Sequence, residues 1–341
     1  MKNSFKFKSN VQHAENHGLL NNVQPNEDGK NVVVSFKNVS IGYKRGNVER
    51  VIVEDLNLDI VRGEIFGLVG ESGSGKTTVG RSLVRVTKVS KGEILYNGVR
   101  ISGKISRQLS REVKKKIQMI FQDPSASLND RANVDYIVSE GLRAFHLYEG
   151  ESDRLEKVEE MMRRVGLRPE HLKRYPHEFS GGQRQRIGIA RSMIIQPEFI
   201  VADEPISALD VSIRAQVLNL IKEFQNESAL TVMFIAHDLS VVKYISDRIG
   251  VIYNGKIVEL ATAERLFEMP LHPYTKSLLS AVPIPDPRVE KYKKVIVYNP
   301  HMHQYTHDDE PQLYEAEPGH FVRANSSELA QYQEIIRKGE K

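Results

Sequence analysis

Cysteine is absent from the 341 residues, which excludes disulfides, thiolate metal sites and cysteine-held iron–sulfur clusters. Redox chemistry by the chain itself is therefore not expected. Also missing is any apolar run near the roughly 20 residues a helix needs to cross a bilayer, and the N-terminus lacks the apolar core of a signal peptide. The expectation is a protein made and kept in the cytoplasm. Charge of one sign is not in excess either: 48 Lys and Arg against 44 Asp and Glu leave a net charge of +4, too even for a general nucleic-acid binder. A chain this long can bury a substantial core, as one large domain with appendages or as two to three smaller ones.

What is present is organised around Gly70-Glu71-Ser72-Gly73-Ser74-Gly75-Lys76-Thr77. The octet follows the apolar run Ile65-Phe66-Gly67-Leu68-Val69 and precedes Thr78 and a segment with Val79, Leu83 and Val86 at helical spacing, so it reads as strand, glycine loop, helix. Such a loop turns backbone N–H groups inward, and the helix adds its unpaired N-terminal donors, which together suit phosphates. Lys76 would reach the terminal phosphates of a nucleotide and the Thr77 hydroxyl would coordinate Mg2+, with Glu71 and Ser72 as spacers.

Residues 1–30 are rich in Asn, Lys, His and Gln and poor in large apolar side chains, the composition of a mobile arm. Val32 to Phe36, Val51 to Val53 and Leu56 to Ile60 alternate as half-buried strands of an antiparallel layer ahead of the glycine loop. Tyr43 lies between them, and either stacks on a nucleotide base or packs on the core. Gly92 to Gly98 reads as a strand closing on an Asn-Gly turn. The charges from Arg107 to Lys116 form a solvated helical face. Ile117 to Phe121 is a further buried strand ending at Gln122, whose amide either serves a metal or an attacking water or simply caps the strand.

Helical periodicity dominates from Pro124 to about Gln196, with Leu155, Val158, Met161 and Met162 on one face as core filling. The segment ends at Phe179-Ser180-Gly181-Gly182-Gln183, a helix start with Ser180 as N-cap and a second place for an anion. Phe199-Ile200-Val201-Ala202 has the continuous apolar character of a central parallel strand. Asp203 and Glu204 follow at its carboxyl end, where open α/β sheets bind ligands. Asp203 can hold Mg2+, and Glu204, pointing the other way, can orient a water or accept its proton. The next helix carries Ile213, Val217, Leu220, Ile221 and Phe224 on one stripe with Ser212 as cap. After the buried strand Thr231 to Ala236, His237 is placed to sense a γ-phosphate.

In this order, Gly70 to Thr77, Gln122, FSGGQ at 179–183, FIVADEP at 199–205, Ser207-Ala208-Leu209-Asp210 and His237 resemble the Walker A, Q-loop, signature, Walker B, D-loop and H-loop of ABC-transporter ATPases. The resemblance covers about residues 31–265. It implies an α/β P-loop NTPase fold: a RecA-like core over 31–122 and 197–265 with an antiparallel β layer, and an inserted helical subdomain over 123–196. FQDPSASLNDR at 121–131, RYPHEFSGGQRQRIGIAR at 174–191 and LHPYTKSLLSAVPIPDP at 271–287 are similar to the ATP-binding subunits of bacterial oligopeptide permeases. EPGHFVRANSSELAQYQ at 317–333 is most similar to the OppF/AmiF type of that family.

The resemblance implies ATP and Mg2+ as cofactors, with Gly70 to Thr78 and Tyr43 on the nucleotide, Thr77, Gln122 and Asp203 on the metal, and Glu204, Gln122 and His237 in catalysis. Ser180, Gly181, Gly182 and Gln183 would act on the nucleotide of a second, D-type ATPase subunit in a head-to-tail heterodimer. Two transmembrane permease subunits and an extracellular peptide-binding protein would complete the complex, with this chain peripheral on the cytoplasmic face of the membrane and no nucleic acid involved. Many relatives carry a cysteine-rich C-terminal segment, sometimes with an iron–sulfur cluster, which a cysteine-free chain cannot hold. Uptake of dipeptides, nickel or another small solute is the nearer alternative, and a soluble ABC ATPase of DNA repair or translation the more distant one.

Residues 266–341 form a C-terminal extension. Prolines at 270, 273, 283, 285 and 287 mark a rigid connection, Val295 to Tyr298 can make a strand, and Asn325 to Glu328 resembles a capping box ahead of Leu329, Tyr332 and Ile336. His301, His303, His307, Asp308 and Asp309 permit a metal by spacing, against a solvated His/Asp loop.

Overall fold

The computed structural model describes residues 20, 31–45, 48–283, 288, 293–303 and 305–339. The N-terminal arm lies outside the described residues except for Leu20, which is fully buried and accepts a 2.7 Å hydrogen bond from Asn97 Nδ2; here at least the arm is anchored. Prolines 285 and 287 also lie outside the described residues.

The chain opens with β1 (Val32–Arg45) and β2 (Val48–Val61), an antiparallel pair. The two segments read as separate strands around Asp55 are one strand, with Asp55 at φ 49° taking up a register irregularity. After β3 (Ile65–Val69) and α1 (Lys76–Leu83), β4 (Lys91–Tyr96) turns at Asn97-Gly98, both at positive φ as the hairpin turn requires, into β5 (Val99–Arg100). These strands form one antiparallel sheet in the order β2-β1-β4-β5.

The helix α2 (Arg107–Lys116) leads to β6 (Ile117–Ile120). A helical stretch follows with α3 (Pro124–Ser127), α4 (Val134–Phe145), α5 (Glu151–Arg164) and α6 (Gly181–Met193). Then come β7 (Phe199–Asp203), α7 (Val211–Ser228), β8 (Thr231–Ala236), α8 (Leu239–Ile245), β9 (Arg248–Tyr253) and β10 (Lys256–Thr262). The C-terminal part adds α9 (Ala263–Glu268), α10 (Pro273–Ala281), β11 (Gln312–Glu317), β12 (His320–Ala324) and α11 (Ser326–Lys338).

The main sheet runs β11-β12-β10-β9-β3-β8-β7-β6, parallel from β6 through β9 and antiparallel beyond. Every residue of β3, β7 and β8 is buried, because the pleat sends alternate side chains into two cores. Ile65 and Val69 face the core shared with α4 to α9, whereas Phe66 and Leu68 face the core beneath the antiparallel sheet and α1. The parallel strands therefore all deliver their carboxyl ends to one edge of the molecule.

Several expectations are corrected in detail. Val86 lies beyond α1 and is 67% exposed, and Leu155 points outward while Arg154 is buried on α5 through Asp135 and Glu151. The N-cap of α7 is Asp210, not Ser212. Val295 to Tyr298 is no strand: the N–H and C=O of Ile296 are taken by the hydroxyls of Ser280 and Ser277 on α10, which replaces a ladder partner. In the C-terminal extension β12 pairs with β10 and so continues the main sheet.

Candidate active site

The glycine loop joins β3 to α1 with little freedom. A Cβ on Gly70 would stand 2.2 Å from the Ile252 carbonyl oxygen on β9, so only glycine fits there. Gly75 is the N-cap of α1 at φ 108°, a left-handed conformation, and offers no side-chain cap; the first N–H groups of the helix are thus left for an anion. The Lys76 ammonium donates to the carbonyls of Gly70 and Glu71, both at 2.7 Å, and its burial lowers its pKa against the pull of Glu204, Asp203 and Glu71. The Ser74 hydroxyl is buried without a partner inside the loop. Unsatisfied donors and a buried ammonium around one loop fit the phosphates of a nucleotide. Glu71, Ser72 and Gly73 are exposed, and Thr77 and Thr78 half-buried.

Asp203 ends β7 almost fully buried and accepts 2.9 Å from the Thr77 hydroxyl; burial raises its pKa, with that hydrogen bond opposing. Two adjacent oxygen donors at the head of α1 are the chemistry Mg2+ selects. Glu204 follows with its backbone at φ 45°, left-handed for a non-glycine residue, and its N–H bonded to Ile235 C=O at 2.9 Å. That conformation is costly and is found where a side chain must be aimed. Its carboxylate receives Gln122 Nε2 at 3.0 Å, and His237 Nδ1 stands 3.2 Å from the same oxygen. The ends of β6, β7 and β8, neighbours in the sheet, thus bring Gln122, Glu204 and His237 together, and Gln122 is bonded to the carboxylate rather than merely ending its strand.

Among the described residues no hydrogen bond joins the other expected site residues to this cluster. Tyr43 is 48% exposed, its hydroxyl 3.4 Å from that of Thr87, so it is not a core aromatic. Ser180 caps α6: its hydroxyl accepts the Gln183 N–H at 3.3 Å while Gln183 Oε1 accepts the Ser180 N–H at 3.0 Å, a reciprocal capping box. A Cβ on Gly181 would meet nothing within 4 Å, whereas one on Gly182 would press Ile213 at 2.9 Å. Among the described residues no hydrogen bond ties Ser180 to Gln183 to the glycine loop, while Gln185 one turn along α6 donates to the Phe121 carbonyl beside Gln122 at 3.4 Å.

In the C-terminal part, the His303 side chain is 2% exposed among Glu328, Tyr298 and Tyr305, while that of His307 is 96% exposed. Those histidines are not brought together, and among the described residues no group of three metal-ligating side chains converges. Residues the sequence reading passed over do gather near the glycine loop. The Glu71 N–H donates to the Tyr274 hydroxyl at 2.9 Å, and Glu259, fully buried, holds the turn ahead of Tyr274.

Two family models match the chain: ABC transporter over residues 53–207, and oligopeptide/dipeptide transporter, C-terminal region, over 258–307. The chain is 58% identical to the oligopeptide transport ATP-binding protein AmiF of Streptococcus pneumoniae, across 88% of this chain and 97% of that protein. It is 56% identical to OppF of Bacillus subtilis across 84% and 93%, and 51% identical to the dipeptide transport ATP-binding protein DppF of Lactococcus lactis across 88% and 96%. Among solved structures it is similar to the ATP-binding cassette MJ0796 in a dimeric post-hydrolysis state bound to ADP and Pi. There the TM-score is 0.62 at 27% identity, over 67% of this chain and 98% of that one. It is also similar to CbiO1 of Clostridium perfringens, with TM-score 0.60 at 27% identity over 69% and 90%. Likeness of this extent, over a glycine loop and strand-end carboxylates of this geometry, makes the chain a member of the ABC-transporter ATP-binding proteins, ATP-hydrolysing subunits, in their oligopeptide transport branch.

Proposed function

We propose that this chain hydrolyses ATP to drive oligopeptide import through separate membrane permease subunits, paired with a second, D-type ATPase subunit and supplied by an extracellular peptide-binding protein. The observation that carries the reading is the convergence of Gln122, Glu204 and His237 at one carboxylate beside the Thr77–Asp203 pair and the glycine loop. Phosphoryl transfer asks a protein chiefly for positioning and charge neutralisation. The loop amides from Gly70 to Thr78 and Lys76 hold the phosphates. Thr77, Asp203 and Gln122 would hold Mg2+, which supplies charge neutralisation at the transferred phosphoryl group. Glu204, already aimed by its left-handed backbone, orients the attacking water and accepts its proton; His237 contacts the γ-phosphate; Tyr43 stacks on adenine.

The Ser180 to Gln183 cap shares no hydrogen bond with the loop of the same chain among the described residues, in keeping with a site shared between two subunits, each offering its signature helix to the other's nucleotide. A groove of about 720 Å³ lined by Phe121, Gln122, Gly141, Phe145 and Arg191 lies between core and helical segment, a seat for the permease next to the residue that touches Glu204. We assign residues 31–122 and 197–265 to the core, 123–196 to the helical subdomain and 266–341 to an extension. Among the described residues no helix is long and apolar enough to cross a membrane; a peripheral place on the cytoplasmic face follows from the permease contact.

Dipeptide import is the second reading, favoured by 51% identity to a dipeptide transport ATP-binding protein. The test is reconstitution of the chain with its second ATPase, permease and binding protein in vesicles, with labelled peptides outside and ATP on the side of this subunit. ATP-dependent accumulation of oligopeptides is expected. Accumulation of dipeptides alone would favour the second reading, and hydrolysis indifferent to any peptide would overturn both.

A further inference from the structure

The glycine loop is held from a direction that the motifs do not reveal. Tyr274, in the first turn of α10, is 1% exposed, and its hydroxyl accepts the Glu71 N–H at 2.9 Å across 203 residues of sequence. The Gly70 carbonyl, at the other end of that same peptide group, accepts the Lys76 ammonium at 2.7 Å. A peptide group is planar and rotates as a unit, so Tyr274 and Lys76 grip one plate at its two ends.

Tyr274 has no room to wander. Its ring centroid lies 4.5 Å from that of Tyr253 and 5.3 Å from that of Tyr298. Its N–H donates to His272 Nδ1 at 3.1 Å, and burial holds His272 down at about 3, so that nitrogen keeps its lone pair. The N–H groups of Leu271 and His272 donate to the Glu259 carboxylate at 2.8 and 3.0 Å, and His320 Nε2 lies 2.8 Å from the same group. Glu259 belongs to β10, which pairs with β9, and β9 abuts the loop at Ile252. The C-terminal segment thus forms a buried, hydrogen-bonded bracket from the sheet to the loop.

We infer that Tyr274 is a positioning residue for nucleotide binding: its hydroxyl fixes the Gly70–Glu71 peptide and so sets the resting place of the Lys76 ammonium. The inference rests on the loop being the ATP site. A loop fixed before ATP arrives loses less freedom on binding. Without the hydroxyl the peptide can turn, the Gly70 carbonyl leaves Lys76, and the ordering cost falls on the nucleotide.

The test compares Tyr274→Phe, which keeps the ring and removes only the hydroxyl, with Tyr96→Phe and Lys76→Ala, in the full chain assembled with its partners. Tyr96 is a fair control because its hydroxyl is also buried and bonded, at 3.1 Å to Glu198, away from the loop. Tyr274→Phe is expected to raise KM for ATP about three- to tenfold, the worth of one hydrogen bond. Its kcat should stay within about twofold and its melting temperature without nucleotide within about 4 °C, while Tyr96→Phe leaves KM unchanged. An unchanged KM in Tyr274→Phe, an equal rise in Tyr96→Phe, or a larger loss of melting temperature would each overturn the inference. Normal ATP binding by Lys76→Ala would instead overturn the site reading beneath it, so the two failures are distinguishable.

Discussion

Replacing Gly70 by alanine adds one methyl group where the loop meets β9. The new Cβ would stand 2.2 Å from the Ile252 carbonyl oxygen, against the 3.0 Å below which such contacts essentially do not occur. The shortfall of 3.0 − 2.2 = 0.8 Å cannot be met by a rotamer change, because the obstacle is backbone. The loop must therefore shift by most of an ångström, which pulls the Gly70 carbonyl from Lys76 and the Glu71 N–H from Tyr274 together. Overpacking of this kind costs about 1–3 kcal/mol of stability, and misplacement by about 1 Å at a site can cost up to ~100-fold in function. Gly150→Ala supplies the baseline, since a Cβ there meets nothing within 4 Å. Equilibrium binding of ATP by the two variants should show at least tenfold weaker binding for Gly70→Ala and wild-type binding for Gly150→Ala, whose only expected cost is a small loss of stability at the N-cap of α5. Binding by Gly70→Ala within about twofold of wild type would refute the packing argument.

Two further perturbations test other parts of the account. His272 is pushed down to about 3 by burial, with His303 and Arg323 acting in the same direction, so from about pH 6.5 downward the unfolded chain binds a proton the folded chain refuses. Stability should be complete above pH 6.5 and fall by about 2 kcal/mol between pH 7 and 5 from this group; urea unfolding of His272→Asn should lack that part of the slope, and parallel slopes would contradict it. Tyr43→Ala should weaken ATP binding about tenfold or more, as loss of a base-stacking ring does, while Tyr43→Phe stays within about twofold. Equal affinities for all three would remove Tyr43 from the site.

Much of the architecture was legible because its signals are local. Continuous apolar runs such as Phe199 to Ala202 and Thr231 to Ala236 announced strands buried on both faces, and the chemistry sits immediately after them in sequence. The Ser180 cap was equally readable, since a capping box spans four consecutive residues. What escaped depends on partners far along the chain. Nothing near Tyr274 shows that it bonds Glu71, and nothing near β12 shows that it pairs with β10. Val295 to Tyr298 carries a strand-like composition, yet serine hydroxyls of α10 took its backbone groups. Leu20 was misread for the same reason, its burial being fixed by packing beneath a sheet formed later in the sequence.

The most direct test concerns Glu204. In the assembled transporter, with the second ATPase subunit's own site silenced, Glu204→Gln should bind ATP with affinity within about threefold of wild type, because the glycine loop and Lys76 are untouched. Phosphate release should fall by about 10²–10⁴-fold, the usual worth of a positioned base. Undiminished phosphate release would contradict the assignment of Glu204; loss of ATP binding together with turnover would contradict the division of labour between loop and carboxylate.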